Sequence, residues 1–212
     1  MQRQGKRTLD PRLLSIREEL LSREAGLPPF PEPEKGRSHA AVCLILRERA
    51  ELEVLMIRRA ESEGDPWSGQ MALPGGRRDP SDSSLLHTAV RETAEETSVA
   101  LAVDGLHLGR LEEVTPATHR LPPISIFPFV FGVRPHTDAR AASREVDDIY
   151  WIPLATLRNP GATGTVEIRY RDDTSKEFPC LRVEGRVIWG LTYRILTGFF
   201  SILEALEYEE NR

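Results

Sequence analysis

The chain has 212 residues, a formal net charge of −5 at pH 7 and two cysteines. That length suits one domain with a substantial core, and the acidic balance excludes the basic footprint of a nucleic-acid binder. No apolar run nears about 18 residues and no signal-peptide pattern is visible, so the expectation is a cytoplasmic protein with no membrane partner. Cys43 and Cys180 lack metal-ligand spacing and read as buried thiols.

In chain order, residues 1–7 are basic and carry no element signal. Asp10-Pro11 is an N-cap followed by proline at the first helical position. Leu13, Leu14, Ile16, Leu20 and Leu21 then predict an amphipathic helix to about Ala25. Leu27 to Lys35 holds four prolines and reads as a linker. The expected division is therefore 1–36, helix and linker, and 37–212, the core domain. Strands are expected at 39–47 and 52–58, then at a segment ending in the glycine turn Leu73-Pro74-Gly75-Gly76. More follow at 106–114, 124–133 and 147–152, with a hairpin from 165–171 and 178–188. A closing helix is expected over 189–208. Strands mixed with two long helices predict an α+β fold, a mixed sheet sandwiched between helices.

The chemistry concentrates in Arg91-Glu92-Thr93-Ala94-Glu95-Glu96. At 3.6 residues per turn the three glutamates share one helix face. Leu86, Val90, Thr93 and Thr97 form a separate arc, and the run Asp79 to Ser84 supplies N-cap candidates. Glu92 and Glu96 repel by about 0.2–0.5 kcal/mol, a penalty that a hard divalent cation would remove while sharing its shell with phosphate oxygens. The paired glycines upstream permit close backbone approach by a phosphate or metal. The bland alternative is a solvated acidic face.

From Gly76 to Val99 the chain resembles the Nudix hydrolase family. Gly76 opens the pattern, Asp82 stands in its first acid position, and Arg91, Glu92, Glu95, Glu96 and Val99 follow. Three departures are visible: Asp82 replaces a glutamate, one residue is inserted between Asp82 and Arg91, and Ser98 replaces a late glycine. A narrower resemblance, to the coenzyme A diphosphatase branch, rests on Trp67–Gly76, on the inserted residue, on Glu145–Leu154 and on Val187–Thr192. The basic Leu-Arg-x-His element of that branch is missing; Arg59–Trp67 stands there instead.

The resemblance implies a Nudix-type fold and an enzyme that hydrolyses the pyrophosphate linkage of a nucleoside diphosphate substrate. Mg²⁺ or Mn²⁺ would be held by Glu92, Glu95, Glu96 and the carbonyl of Gly76, with Arg91 orienting a carboxylate. Coenzyme A or acyl-coenzyme A is the implied substrate, with Gly75, Gly76, Arg58 and Gln70 as substrate-binding residues. ADP-ribose, NADH, a dinucleoside polyphosphate or a non-catalytic sensor role are the alternatives, and monomer and homodimer both stay open. Outside the motif, Arg58 or Arg59 is a candidate phosphate clamp. Glu112, Glu113, Glu145, Asp147 and Asp148 are candidate extra carboxylates. Trp67 is either a core aromatic or a base-stacking platform, and Trp189 reads as core. The five histidines read as surface or capping groups.

Overall fold

The structure, a computed structural model, describes residues 10–31, 36–64, 67–116, 123–170 and 173–210. The basic segment 1–7, part of the linker, the tip of the expected hairpin and His119 lie outside the described residues.

The central sheet is organised around one long strand, β1 (Ser38–Glu48). β2 (Leu52–Arg59) returns antiparallel to it, with Leu46 opposite Val54. β3 (Met71–Ala72) extends the β2 edge, and β4 (Gly75–Arg77) pairs with the start of β1. After the motif helix α2 (Leu85–Thr97) and the short α3 (Leu101–Asp104), β5 (Leu106–Arg110) pairs with β6 (Ile124–Val133). β6 runs parallel to β1 over ten residue pairs, from Ser38 opposite Ile124 to Arg47 opposite Val133. β7 (Val146–Pro153) pairs antiparallel with β2. The sheet is therefore mixed, as expected.

Both faces of β1 are buried, so its strand alternation divides the core in two. Leu44 and Leu46 join one cluster with Val54, Met56 and Val130; Ala41, Cys43 and Ile45 join the other with Phe127, Phe129 and Phe131. α2 covers the second face through Leu85 and Ala89. The first face is covered by α5 (Gly190–Glu210), through Leu196, Phe199 and Leu203, and by α1 (Pro11–Glu24), through Leu13, Ile16 and Leu20. Asp10 caps α1, accepting the Arg12 N–H at 2.7 Å. Leu14 and Leu21, expected on the same apolar face, point outward at 41% and 42% exposure. α1, on the N-terminal side of the expected division at residue 36, shares one core cluster with the sheet, its Leu13, Ile16 and Leu20 packing with Leu44 and Leu46.

Between β7 and α5 lie α4 (Leu154–Arg158) and a separate three-stranded sheet of β8 (Thr163–Arg169), β9 (Ser175–Val183) and β10 (Arg186–Trp189). The expected strand at 178–188 is broken in the middle. Glu184 and Gly185 both have positive φ, 49° and 77°, and make a two-residue hairpin turn that sets Val183 opposite Arg186. β5 also ends four residues before the predicted 114; beyond it the Leu111 N–H donates to the Pro128 carbonyl and Val114 bridges back to Ile126.

Candidate active site

The double glycine is a strand where a turn was expected. Gly75 and Gly76 pair with Val42 and Ala41. Gly75 adopts φ +147°, and a Cβ there would overlap the Ala41 carbonyl oxygen. A Cβ on Gly76 would overlap the Glu92 carboxylate. Gly75 is therefore needed for β4 to pair with β1, and Gly76 for the motif helix to lie against β4.

α2 begins at Ser84, whose hydroxyl accepts the His87 N–H at 3.1 Å. It ends at Ser98, which takes the left-handed conformation, φ 60°, normally given to glycine. Its buried face is centred on Leu85, Ala89, Thr93 and Thr97, and it takes in Glu96 at 3% exposure. Leu86 and Val90, expected within the arc, are only partly buried. The three glutamates are consequently graded: the Glu96 residue is inside, the Glu92 side chain is 19% exposed, and the Glu95 side chain is 57% exposed.

Each carboxylate has its own restraint. The Gly75 N–H donates to Glu96 Oε2 at 2.8 Å. Arg91 sits 3.0 Å from Glu92 Oε1 and 3.3 Å from Glu95 Oε2. Arg91 is itself gripped by Asp82 through two parallel bonds, Nε to Oδ1 and Nη2 to Oδ2, each 2.9 Å. Asp82 is fully buried and also accepts from the Thr88 hydroxyl and the Asp79 N–H. These bonds, Arg91's foremost, hold the Asp82 carboxyl well below the usual carboxylate range and raise the Arg91 guanidinium. Burial dominates in the other direction at Glu96, whose carboxyl is pushed up to about 7; the Gly75 N–H and Arg59 oppose the shift, and Glu92 and Glu145 add to it. Glu92 is raised too, again chiefly by burial, with Arg91 opposing.

A cleft of about 560 Å³ opens beside these groups. Glu92, Glu95, Gly75, Gly76, Arg59, Arg77, Trp67 and Gln70 line it, joined by Glu145 from the loop before β7. Leu191, Thr192 and Ile195 of α5 also line it. Trp67 is half-buried and open to the cleft rather than locked in the core.

Arg58 does not line the cleft. It is exposed and ion-paired with Asp147, while its neighbour Arg59 lines the cleft; the β2–β7 register shifts between the two. Of the second acidic group only Glu145 reaches the cleft; Asp148 accepts the Tyr150 hydroxyl at 2.6 Å. Glu112 and Glu113 are exposed beyond β5 and line nothing there. Trp189 packs against Phe178 in the small sheet, with the ring centroids 5.3 Å apart and tilted by 47°. His39 and His107 are core-side groups packed against Phe127, Phe129 and Phe131, not surface groups. Both cysteines are buried and free. The residues of α5 were not singled out from sequence as site residues; the Val187–Thr192 resemblance was the available signal.

Among the described residues no three His, Cys, Asp or Glu side chains already converge as a metal cage. The expected trio falls short because Glu96 turns in toward Gly75 and Glu95 turns out toward Arg91. The donors nevertheless suit a hard cation that takes most of its shell from phosphate and water. They are carboxylate oxygens beside a cleft, and burial raises two of them, Glu92 and Glu96, with Glu145 adding to both shifts.

Residues 36–170 match the NUDIX domain family. The chain is 31% identical over 180 residues to the uncharacterized Nudix hydrolase NudL of Yersinia enterocolitica, an alignment that covers 84% of this chain and 88% of that protein. It is 36% identical over 129 residues to an uncharacterized protein of Schizosaccharomyces pombe, covering 59% of this chain but only 39% of that longer protein. Among solved structures, a MutT/nudix family protein from Enterococcus faecalis is similar in fold, with a TM-score of 0.56 and 18% identity over 93% of this chain and 76% of that one.

Proposed function

The chain belongs to the Nudix hydrolase family, and from that premise we propose that it hydrolyses coenzyme A or an acyl-coenzyme A at the pyrophosphate, giving 3′,5′-ADP and the corresponding phosphopantetheine. As a Nudix hydrolase it is an enzyme of pyrophosphate bonds, and nucleoside diphosphate derivatives are its substrate class. One observation supports the finer reading. The separated stretches that resemble the coenzyme A branch meet around one cleft: Trp67, Gln70 and Gly75–Gly76, then Glu145, then Leu191 and Thr192.

Glu92, Glu95, Glu96 and the Gly76 carbonyl would hold Mg²⁺ or Mn²⁺. When bound, such an ion neutralises diphosphate charge and acidifies water for attack on phosphorus. The chain's own groups do the rest. Asp82 locks Arg91, and Arg91 holds Glu92 and Glu95 in place. The Gly75 N–H fixes Glu96. Arg59 and Arg77 offer guanidinium groups to anionic oxygens from within the cleft. Arg77 is the exposed one and is the residue we assign to the 3′-phosphate. Arg78 points elsewhere, with its Nη2 3.4 Å from the Asp82 carbonyl oxygen.

The test is a panel of coenzyme A, 3′-dephospho-coenzyme A, ADP-ribose, NADH and diadenosine polyphosphates with Mg²⁺ or Mn²⁺. Coenzyme A should have the highest kcat/KM, with the dephospho form about 10- to 150-fold lower, as expected for one lost charged hydrogen bond of about 1.5–3 kcal/mol. A preference for ADP-ribose would replace coenzyme A with that substrate. No turnover of any member with metal present would leave a sensor.

A further inference from the structure

The cleft has two unlike sides. Its charged groups, Glu92, Glu95, Glu145, Arg59 and Arg77, gather around the motif helix, β4 and the loop before β7. The side covered by α5 is aliphatic: Val42 of β1, Ile124 and Ile126 of β6, and Leu191 and Ile195 of α5. Val42, Ile126 and Leu191 pack on the core yet keep accessible surface, and the cleft is where they line open space. Thr192 is the one polar side chain that α5 brings. Trp67 is the cleft's only Phe, Tyr or Trp among the described residues.

We propose that the occupant is asymmetric, with one base stacked on Trp67 and, across the diphosphate, an aliphatic arm lying on Val42, Ile126, Leu191 and Ile195, so that alkylated nucleoside diphosphates are preferred to dinucleotides. This rests on the reading that the cleft takes a nucleoside diphosphate derivative; it does not require coenzyme A. Base stacking on an aromatic needs only a π-face, and one platform serves one base. A second base on the aliphatic side would bring ring nitrogens and exocyclic groups against methyl groups, where they lose water and gain no partner. An alkyl arm has no polar group to strand. Each methylene it buries favours binding by a factor of about four.

The experiment compares kcat/KM for the methyl, ethyl and butyl esters of ADP with that for diadenosine diphosphate, on the full chain with Mg²⁺ or Mn²⁺. The expected result is a rise of about fourfold per added methylene, with the butyl ester exceeding the dinucleotide at least tenfold. A series flat within about twofold, or a dinucleotide cleaved as fast as the butyl ester, overturns the proposal. Leu191→Asn and Ile126→Asn should each lower the butyl-to-methyl ratio severalfold, with thermal melting as the check on folding. Unchanged ratios in folded variants overturn the placement of the arm. The wild-type series decides the proposal even if both variants fail to fold. If coenzyme A resists cleavage while the alkyl series climbs, the coenzyme A reading falls and this one stands. If coenzyme A is cleaved and the series is flat, only this one falls. No turnover of coenzyme A or of any ADP ester removes both.

Discussion

Glu96 is the residue on which chemistry and stability pull hardest against each other. It carries charge where burial resists charge, and its folded carboxyl rises from 4.5 to about 7. A raised carboxyl pKa means the folded state holds the proton more tightly than the unfolded chain. The associated stability is fully present below pH 4.5 and is lost as pH rises through about 7, for a total of about 3 kcal/mol. Glu92 shifts in the same direction. Asp82 shifts oppositely, but its contribution is lost only in strong acid and leaves this window alone. Metal-free protein should therefore melt at a lower temperature at pH 8 than at pH 6, and Mg²⁺ should raise Tm more at pH 8. Calorimetry at the two pH values, with Mg²⁺ and with chelator, measures this; a Tm independent of pH would mean that Glu96 is not held in a desolvated site. Glu96→Gln should flatten that pH dependence and lower kcat at least a hundredfold in a folded protein, since about 1.4 kcal/mol is tenfold in rate. Near-normal turnover would remove the carboxylate from the site. Glu145→Gln extends the test beyond the motif: Glu145 lines the cleft and acts on both Glu92 and Glu96, so kcat should fall at least tenfold with Tm nearly unchanged.

Two elements carry strain or docking that sequence spacing alone does not price. The end of α2 puts Ser98 at φ 60° with one contact to its side chain, from Arg140 Nε at 3.4 Å. A left-handed non-glycine residue costs about 1–2 kcal/mol, and glycine's extra freedom in the unfolded chain returns part of that. Ser98→Gly should therefore stabilise by roughly 0.5–1 kcal/mol, a rise in Tm of about 2 °C; a lower Tm would show that the Arg140 contact matters more. At the other end of the chain, α1 lies so close to β5 that a Cβ on Gly109 would sit 2.7 Å from the Leu20 Cβ. Leu20 is fully buried. Leu20→Ala should cost about 2–5 kcal/mol in denaturant unfolding, with kcat of the folded fraction unchanged, because α1 contributes nothing to the cleft.

For the whole molecule this makes the N-terminal segment part of the fold. Leu13, Ile16 and Leu20 together bury enough apolar surface for several kcal/mol, at about 1.5–3 kcal/mol each, against a total stability of about 5–15 kcal/mol. The linker reinforces the docking: Arg110 donates to the Pro28 carbonyl at 2.7 Å, lies 4.4 Å from the Phe30 ring and is 3.3 Å from Glu24. Deletion of residues 1–35 should yield an aggregating or strongly destabilised chain. In the full chain, amides of α1 should exchange hydrogen with nearly the protection of β1, as one cooperative unit. Fast exchange confined to α1 would show the helix to be a dispensable appendage.

The motif helix, its cap region and the strands β1, β2 and β6 were legible because each signal is local. A 3.6-residue period, a serine before an apolar run and β-branched or aromatic runs are set by residues that touch one another along the chain. So were the glutamates, since i, i+3 and i+4 share a face in any helix. What the sequence left open depends on residues distant along it. The Gly75–Gly76 pair reads as a turn until β1 lies beside it and makes it a strand. Arg58 and Arg59 are equal candidates until the sheet turns one to Asp147 and the other into the cleft. Glu145 and Leu191 join Glu92 only because separate loops and helices converge there. The burial that raises Glu96 also exists only once β4 closes over it, because desolvation is a property of the assembled interior and of no single segment.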